Sequence, residues 1–392
     1  SPMPEITKYV LFDGVHHQKL KPLTLTRPVA DLRIGIFTIQ EKWSLALKSK
    51  VAVRTKDYLR KKFNSHLGSA KIGISASIFP SLDIIDALDS IQENTIIMKN
   101  GKVLAISPLP EENDEIDSKL SSYRTVQYTG EIQSVEKPMD IFILNALEID
   151  RDLNSIQKEN THGNNYGTGN LFIGDDIYIE DGAIINGVTL NSNDGPIYIS
   201  KTAEVMEGSN LRGPLVIMEN SVIKMGSKIY GPTTIGPSCK IGGELSNVVF
   251  QGFSNKAHDG FLGNSVVGYW CNFGADSNSS NLKNNYSEVK SWNYHTEKFD
   301  NTGTMYCGLI IGDHSKCGIN TMFNTGTVVG AFVNIFGSGF PSKFIPSYSW
   351  GGGDAFETYK FEKAIELANI VMKRRGVELD KLTIDIYKSF FK

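Results

Sequence analysis

Between Ile311 and Phe340 a bulky apolar or Cys side chain recurs every six residues, at Ile311, Cys317, Phe323, Val329 and Ile335. An α-helical face repeats at about 3.6 residues and an alternating strand at 2, and only the second divides six. Short strands turned at corners are therefore expected. Gly follows three of these positions (Gly312, Gly318 and Gly330), as corners that need unusual backbone angles favour. The same step runs upstream through Ile173, Ile179 and Ile185, then Ile223, Ile229, Ile235 and Ile241, then Phe261, Val267 and Phe273. Three such rungs close one coil of a parallel β-helix whose repeated side chain points into a narrow core. We place this coil at residues 171–346.

The chain has 392 residues, 40% of them hydrophobic, and a net charge of −3. It is long enough for two domains with buried cores. No stretch approaches the roughly 20 apolar residues of a membrane span, and no secretory leader is visible. Ser1-Pro2 ahead of Met3 reads as an added remnant, so a native start at Met3 and a cytoplasmic location are expected. The near-neutral charge without a basic block argues against a nucleic-acid partner. The four Cys (239, 271, 307 and 317) all fall in the repeat region without a C-x-x-C pair, which suits small core or corner residues better than a disulfide or zinc site.

Ahead of the repeats, residues 4–158 alternate strand-like and helix-like pieces. Tyr9–Phe12, Val51–Val53, Ile72–Ile74 and Thr95–Met98 are strand-like; Ile34–Leu47, Asp57–Phe63 and Leu82–Ile91 are helical. This order predicts an α/β domain, a Rossmann-like and mostly parallel sheet covered by helices. Residues 159–170, rich in Gly and Asn, read as a linker. Phe361, Ala364, Ile365, Ala368, Val371 and Met372 share one helical face, and a shorter amphipathic piece runs from Leu379 to Phe391. Residues 354–392 are accordingly expected to form a helical cap over the open end of the coil.

The segment Leu20-Lys-Pro-Leu-Thr-Leu-Thr-Arg-Pro28 follows the first strand. It resembles the loop of sugar-phosphate nucleotidyltransferases in which Arg-Leu-x-Pro-Leu-Thr follows a Gly-rich turn that cradles a triphosphate. Val135-Glu-Lys-Pro-Met-Asp-Ile-Phe142 resembles a shortened, divergent branch of that family. The resemblance implies that Lys21 and Arg27, with Arg33 a third candidate, meet phosphates. It also implies a nucleoside triphosphate with Mg²⁺. The chain departs from the pattern: Asp13-Gly14-Val15-His16-His17 replaces Gly-x-Gly, Val29 replaces the Lys after Pro28, and Asn100 stands where a metal-binding Asp is usual. Asn brings no charge to a metal. Two readings stay open: a domain that binds or makes a nucleotide sugar, and a fold that has lost its chemistry.

The repeats resemble the left-handed β-helix of hexapeptide-repeat acyltransferases, and the hand follows from that resemblance alone, against the usual crossover rule. Lys256-Ala-His258 followed by Leu262-Gly-Asn264 resembles the Lys-Ala-x-His…Leu-Gly-Asp of bacterial bifunctional uridyltransferase/acetyltransferases. The match implies that His258 is a general base titrating near neutrality, with Lys256 a substrate contact; a corner His bonded to backbone is the alternative. Gly274-Ala-Asp-Ser…Asn281 matches the stretch whose Asn orients the acceptor, so Asn281 takes that role, while Leu282 and Lys283 depart from the family's Tyr and acidic residue. Lys283 or Lys290 meets a phosphate or is a solvated surface charge.

Residues 281–304 lose the period and carry Trp292, Tyr294 and His295, as a loop walling a cleft does. Gly326, Gly330 and Ala331 keep corners small for the pantetheine arm of acetyl-CoA or another acyl-CoA. Lys316 and Lys343 are candidates for its phosphates. A zinc site from His258, His295 and His314 lacks any paired His spacing. The leading expectation is an acyltransferase acting on a sugar phosphate or nucleotide sugar, as a homotrimer. The alternatives are a uridylyl- or thymidylyltransferase whose coil only assembles the oligomer, and a non-catalytic nucleotide-sugar scaffold.

Overall fold

The computed structural model describes residues 8–63, 71–111, 116, 120–156 and 166–392. The first part of the expected linker, 159–165, and both ends of the expected N-terminal domain, 4–7 and 157–158, lie outside the described residues. The chain divides into two compact units. The first comprises 1–20, 26–32 and 37–136; the second comprises 21–25, 33–36 and 137–392.

In the first unit the described strands are β1 (Tyr9–Phe12), β2 (Ala52–Arg54), β3 (Ile72–Ser75), β4 (Thr95–Lys99), β5 (Lys102–Ser107) and β6 (Arg124–Gln127). They form one sheet in the order β2-β1-β3-β5-β4-β6. β1 runs parallel to both β2 and β3, β4 runs parallel to β6, and β5 alone runs against its neighbours. The reversal has a local cause. Asn100 and Gly101 both take left-handed angles (φ 52° and 75°) between the paired Lys99 and Lys102, the two-residue turn whose twist suits a hairpin. The helix Ile39–Leu47 begins at a Thr38–Glu41 capping box, and Leu82–Asp89 begins at a Ser81 cap, each satisfying amides left free at a helix start.

The second unit is a parallel β-solenoid. Its core is three columns of aligned side chains. One runs Ile179, Ile199, Ile217, Ile235, Phe250, Val267, Ile311, Val329, Ile345. A second runs Leu190, Leu211, Ile229, Leu245, Leu262. A third holds Ile185, Val205, Ile223 and Ile241, then Lys256, and beyond it Phe273, Cys317 and Ile335. The six-residue reading places the core correctly at nearly every rung. Ile173 and Phe261 differ: Phe172 aligns with the core residue Leu190 and packs against the core in place of Ile173, and Leu262, 2% exposed, points inward in place of Phe261. The four Cys are buried and unpaired.

One corner of the coil repeats a left-handed residue. Thr202, Asn220 and Ser238 hold it in the early turns, and Phe253, Trp270, His314, Phe332 and Tyr348 in the later ones, all with φ between 52° and 64°. The later five stack. Ring centroids lie 4.6 Å apart for Phe253–Trp270, 6.1 Å for Trp270–His314, 4.7 Å for His314–Phe332 and 5.0 Å for Phe332–Tyr348.

The C-terminal helices, Phe361–Arg374 and Lys381–Ser389, cover this aromatic ladder along the flank of the coil, where an end cap was expected. Tyr387 packs on His314 and Phe332, and Phe361, Phe390 and Phe391 pack on Tyr348. Arg375, just past the longer helix, reaches Ser238 O at 2.7 Å and Asn255 Oδ1 at 2.8 Å. Fourteen helical residues span about 21 Å, enough for the four to five strand spacings of about 4.8 Å between those turns. The end of the coil is met instead by a hairpin, Ser349–Gly352 with Ala355–Thr358, whose Phe356 packs on the core.

Candidate functional site

In the first unit, polar side chains gather just beyond the C-terminal ends of β1, β2 and β3, where open α/β sheets bind ligands. Asp13 follows β1 and is buried. Its Oδ1 accepts the Val29 amide at 3.1 Å and its Oδ2 the Thr55 hydroxyl. Burial pushes this carboxyl up to about 6, against the hydrogen bonds from Thr55 and Val29 and the charge of Lys56. Asp13 thereby ties the turn after β1 to the loop after β2. His16 Nε2 lies 2.7 Å from Glu136 Oε2, Lys102 Nζ 2.9 Å from Oε1, and Lys19 Nζ 3.5 Å from Oε2. Burial alone would raise the Glu136 carboxyl, but the hydrogen bonds and charges of His16 and Lys102 bring it down to about 2. His17 packs edge-on against Tyr58, and Ser75 and Ser77 share a hydrogen bond of 2.7 Å.

Arg27 is ion-paired to Asp31 at 3.0 Å, and Lys21 belongs to the second unit. Arg33 is buried, with its guanidinium on the Ile36 carbonyl and its amide on Gln251 Oε1 at 2.7 Å. Asn100 is an exposed hairpin-turn residue. A Mg²⁺ donor set is not matched here: both oxygens of Asp13 are already engaged, and among the described residues no three His, Cys, Asp or Glu converge to hold a metal ion.

In the solenoid, His258 is exposed at the corner after the strand Asn255–Lys256. Three Asn side chains knit the following rung to the turn beyond it. Asn278 Oδ1 accepts the Phe261 amide at 2.7 Å, and Asn281 Nδ2 donates to Asn264 Oδ1 at 3.0 Å. A Cβ at Gly263 would lie 2.6 Å from Asn281 Nδ2, so the absent side chain leaves room for that amide. The chain then departs from the coil. Leu282 bridges Tyr306, and Cys307 N donates to Asn281 O at 3.0 Å to resume the ladder.

Between these points Lys290–Asn293 and Lys298–Asn301 form a hairpin. Trp292 stacks on Phe344 at 4.4 Å with Tyr294 edge-on to the same ring. Lys343 Nζ donates to Lys290 O at 3.0 Å. Burial first, then the charges of Lys283 and Lys290, push the Lys343 amine below its usual range, with Cys307 opposing. Lys343 thus lies where the excursion meets the coil, within the electrostatic reach of Lys283 and Lys290.

Other candidates have structural duties. Lys256 is 2% exposed and aligns with Ile241 in the core column. Gly330 N donates to Ile345 O at 2.8 Å and Ala331 N to Ser347 Oγ at 3.0 Å, so neither amide is left for a thioester oxygen. At Gly326 a Cβ would lie 2.5 Å from Lys290 O; the hairpin backbone requires that glycine. Lys316 folds back to His314 O at 3.3 Å, and burial lowers its amine to about 8. His314 is buried in the aromatic ladder, with Nε2 3.1 Å from Tyr387 Oη, whereas His258 and His295 are exposed; the three are not assembled as a zinc site. Sequence reasoning missed Asn264, Asn278, Glu136 and Thr55. The first three stood inside motifs already singled out, and no pattern pointed to Thr55.

Residues 9–161 match the sugar nucleotidyl transferase family. A bifunctional sugar-1-phosphate nucleotidylyltransferase/acetyltransferase from Sulfurisphaera tokodaii is 29% identical over 216 residues, 54% of this chain and 47% of the relative, so the match spans about half the relative's length. Among solved structures, the polySia specific acetyltransferase NeuO aligns at 17% identity over 50% of this chain and 83% of its own, with a TM-score of 0.27. AntD, an N-acyltransferase from Bacillus cereus solved with dTDP and 3-hydroxybutyryl-CoA, aligns at 16% over 53% and 93%, with a TM-score of 0.23. Residues 9–161 are thus similar in sequence to the sugar nucleotidyl transferases, and 216 residues of the chain are similar to a bifunctional sugar-1-phosphate nucleotidylyltransferase/acetyltransferase.

Proposed function

We propose that the protein transfers an acetyl or related acyl group from acyl-CoA to an amine or hydroxyl of a sugar phosphate or nucleotide sugar. The observation that carries the reading is the exposed imidazole of His258 at a corner whose rung is knitted to the Asn281 turn by Asn264 and Asn278. His258 takes the acceptor's proton as the nitrogen or oxygen attacks the thioester carbon. The tetrahedral intermediate then expels the thiolate, which recovers that proton. Asn281 places the acceptor, and Lys283, Lys290 and Lys343 supply positive charge for its phosphate or for those of CoA.

The 29% identical relative, named for both activities, supports joining the two chemistries in one chain. Replacing His258 with Ala is expected to lower kcat by about 10²–10⁴-fold with acetyl-CoA binding retained. Thiol release from acetyl-CoA, measured with a panel of amino-sugar phosphates and nucleotide sugars, reads this out; undiminished turnover in the variant would remove His258 from the mechanism.

For the first unit we favour recognition of a nucleotide sugar over its synthesis, because Asp13 is committed to Val29 and Thr55 and Asn100 lies in a turn. Pyrophosphate release from a nucleoside triphosphate and a sugar 1-phosphate with Mg²⁺ is expected to stay at background. Sustained release would restore the nucleotidyltransferase reading.

A further inference from the structure

Lys256 occupies a place that the neighbouring turns give to apolar side chains. Its Cα pairs with that of Ile241, in the column that continues to Phe273 and Cys317. A buried ammonium is costly unless its donors are satisfied, and an aliphatic side chain would fill the column without that cost. The amine therefore contributes something other than packing. Its Nζ donates to Gly242 O at 3.2 Å and to His258 O at 2.9 Å. These carbonyls lie at the corner of consecutive turns, one residue past Ile241 and two past Lys256. Space for the amine is kept by a glycine, since a Cβ at Gly243 would lie 2.8 Å from Nζ.

We propose that Lys256 is a positioning residue: from inside the coil its ammonium holds the main-chain carbonyl of His258 and so fixes the direction in which the imidazole leaves the corner, touching neither substrate. A catalytic base must sit within hydrogen-bond reach of the proton it removes, and misplacement by about 1 Å costs on the order of 10²-fold in rate. A flexible corner would not meet that demand. The inference deepens the acyl-transfer reading of His258 and rests on it.

The test uses the full-length chain with Lys256→Met, which keeps an unbranched apolar stem in the column. Melting at or above the wild-type temperature is expected, together with at least tenfold faster hydrogen–deuterium exchange in the peptide 256–264 and unchanged exchange at 215–223. In acetyl transfer kcat falls at least tenfold, while KM for each substrate stays within twofold. Unchanged exchange at 256–264 in a normally melting variant overturns the proposal, as does a raised KM at constant kcat, which would mark Lys256 as a substrate contact. If the Met variant does not fold, Lys256→Leu, which also removes the donor while filling the column with an apolar side chain, is judged by the same exchange and kinetic criteria. The exchange arm needs no turnover, so it is separate from the His258→Ala result: wild-type turnover there removes the acyl-transfer reading, whereas loosening at 256–264 reports on the tether alone.

Discussion

Glu136 shows how a single side chain organises the first unit. Its carboxylate collects His16, Lys102 and Lys19, and those partners outweigh the burial that would otherwise raise it, leaving it at about 2. In the unfolded chain the same group titrates near its ordinary value of 4.5. The unfolded state therefore binds more protons between those values, and the stabilisation is complete above about pH 4.5 and lost as pH falls toward 2. Glu136→Gln is expected to melt at a lower temperature than wild type at pH 7, with the difference shrinking in that acidic window; melting followed at pH 7, 4 and 3 checks it. Glu136 sat in a motif the sequence exposed, yet its partners come from 16, 19 and 102, and a linear reading has no means of joining positions so far apart. Lys256 was hidden for another reason. A charged residue at a core position reads as a break in the period, and only the alignment with Ile241 shows that the coil continues through it.

At the scale of elements, the coil was the most legible part, because every turn must bury the same positions and so writes its period into the chain. The sheet is legible as alternation, but β5 is not separable from β4 by pattern, since Asn100-Gly101 reads equally well as the close of the Thr95–Met98 strand. The aromatic corner was invisible: Phe253, Trp270, His314, Phe332 and Tyr348 are unevenly spaced because the turns between them differ in length and one contains the excursion. Phe332 is 1% exposed and lies between His314 and Tyr348. Its replacement by Ala is expected to cost about 3–5 kcal/mol. Because its φ is 55°, Gly should recover about 1 kcal/mol of that loss through relief of the left-handed backbone. Chemical denaturation of the two variants side by side measures both effects, and equal losses would argue that the corner carries no backbone strain.

For the whole molecule, the second unit leaves Tyr286, Met305, Tyr306, Ile319, Met322 and Phe336 exposed. In keeping with the resemblance to trimeric hexapeptide-repeat enzymes, light scattering is expected to give three times the chain's 43.3 kDa, and a mass of one chain would place the acceptor cleft within a single copy. Among the described residues no helix is long and apolar enough to cross a membrane.

Stacked turns that touch only their neighbours ordinarily fray from the free end, one after another. Here a single brace is fastened near Ser238 and Asn255 at one extremity and over His314, Phe332 and Tyr348 at the other. Loss of the last turn would have to strip the brace from all the others, so the later half of the coil should come apart together or not at all, and the corner bearing His258 is protected by a fastening made more than a hundred residues downstream.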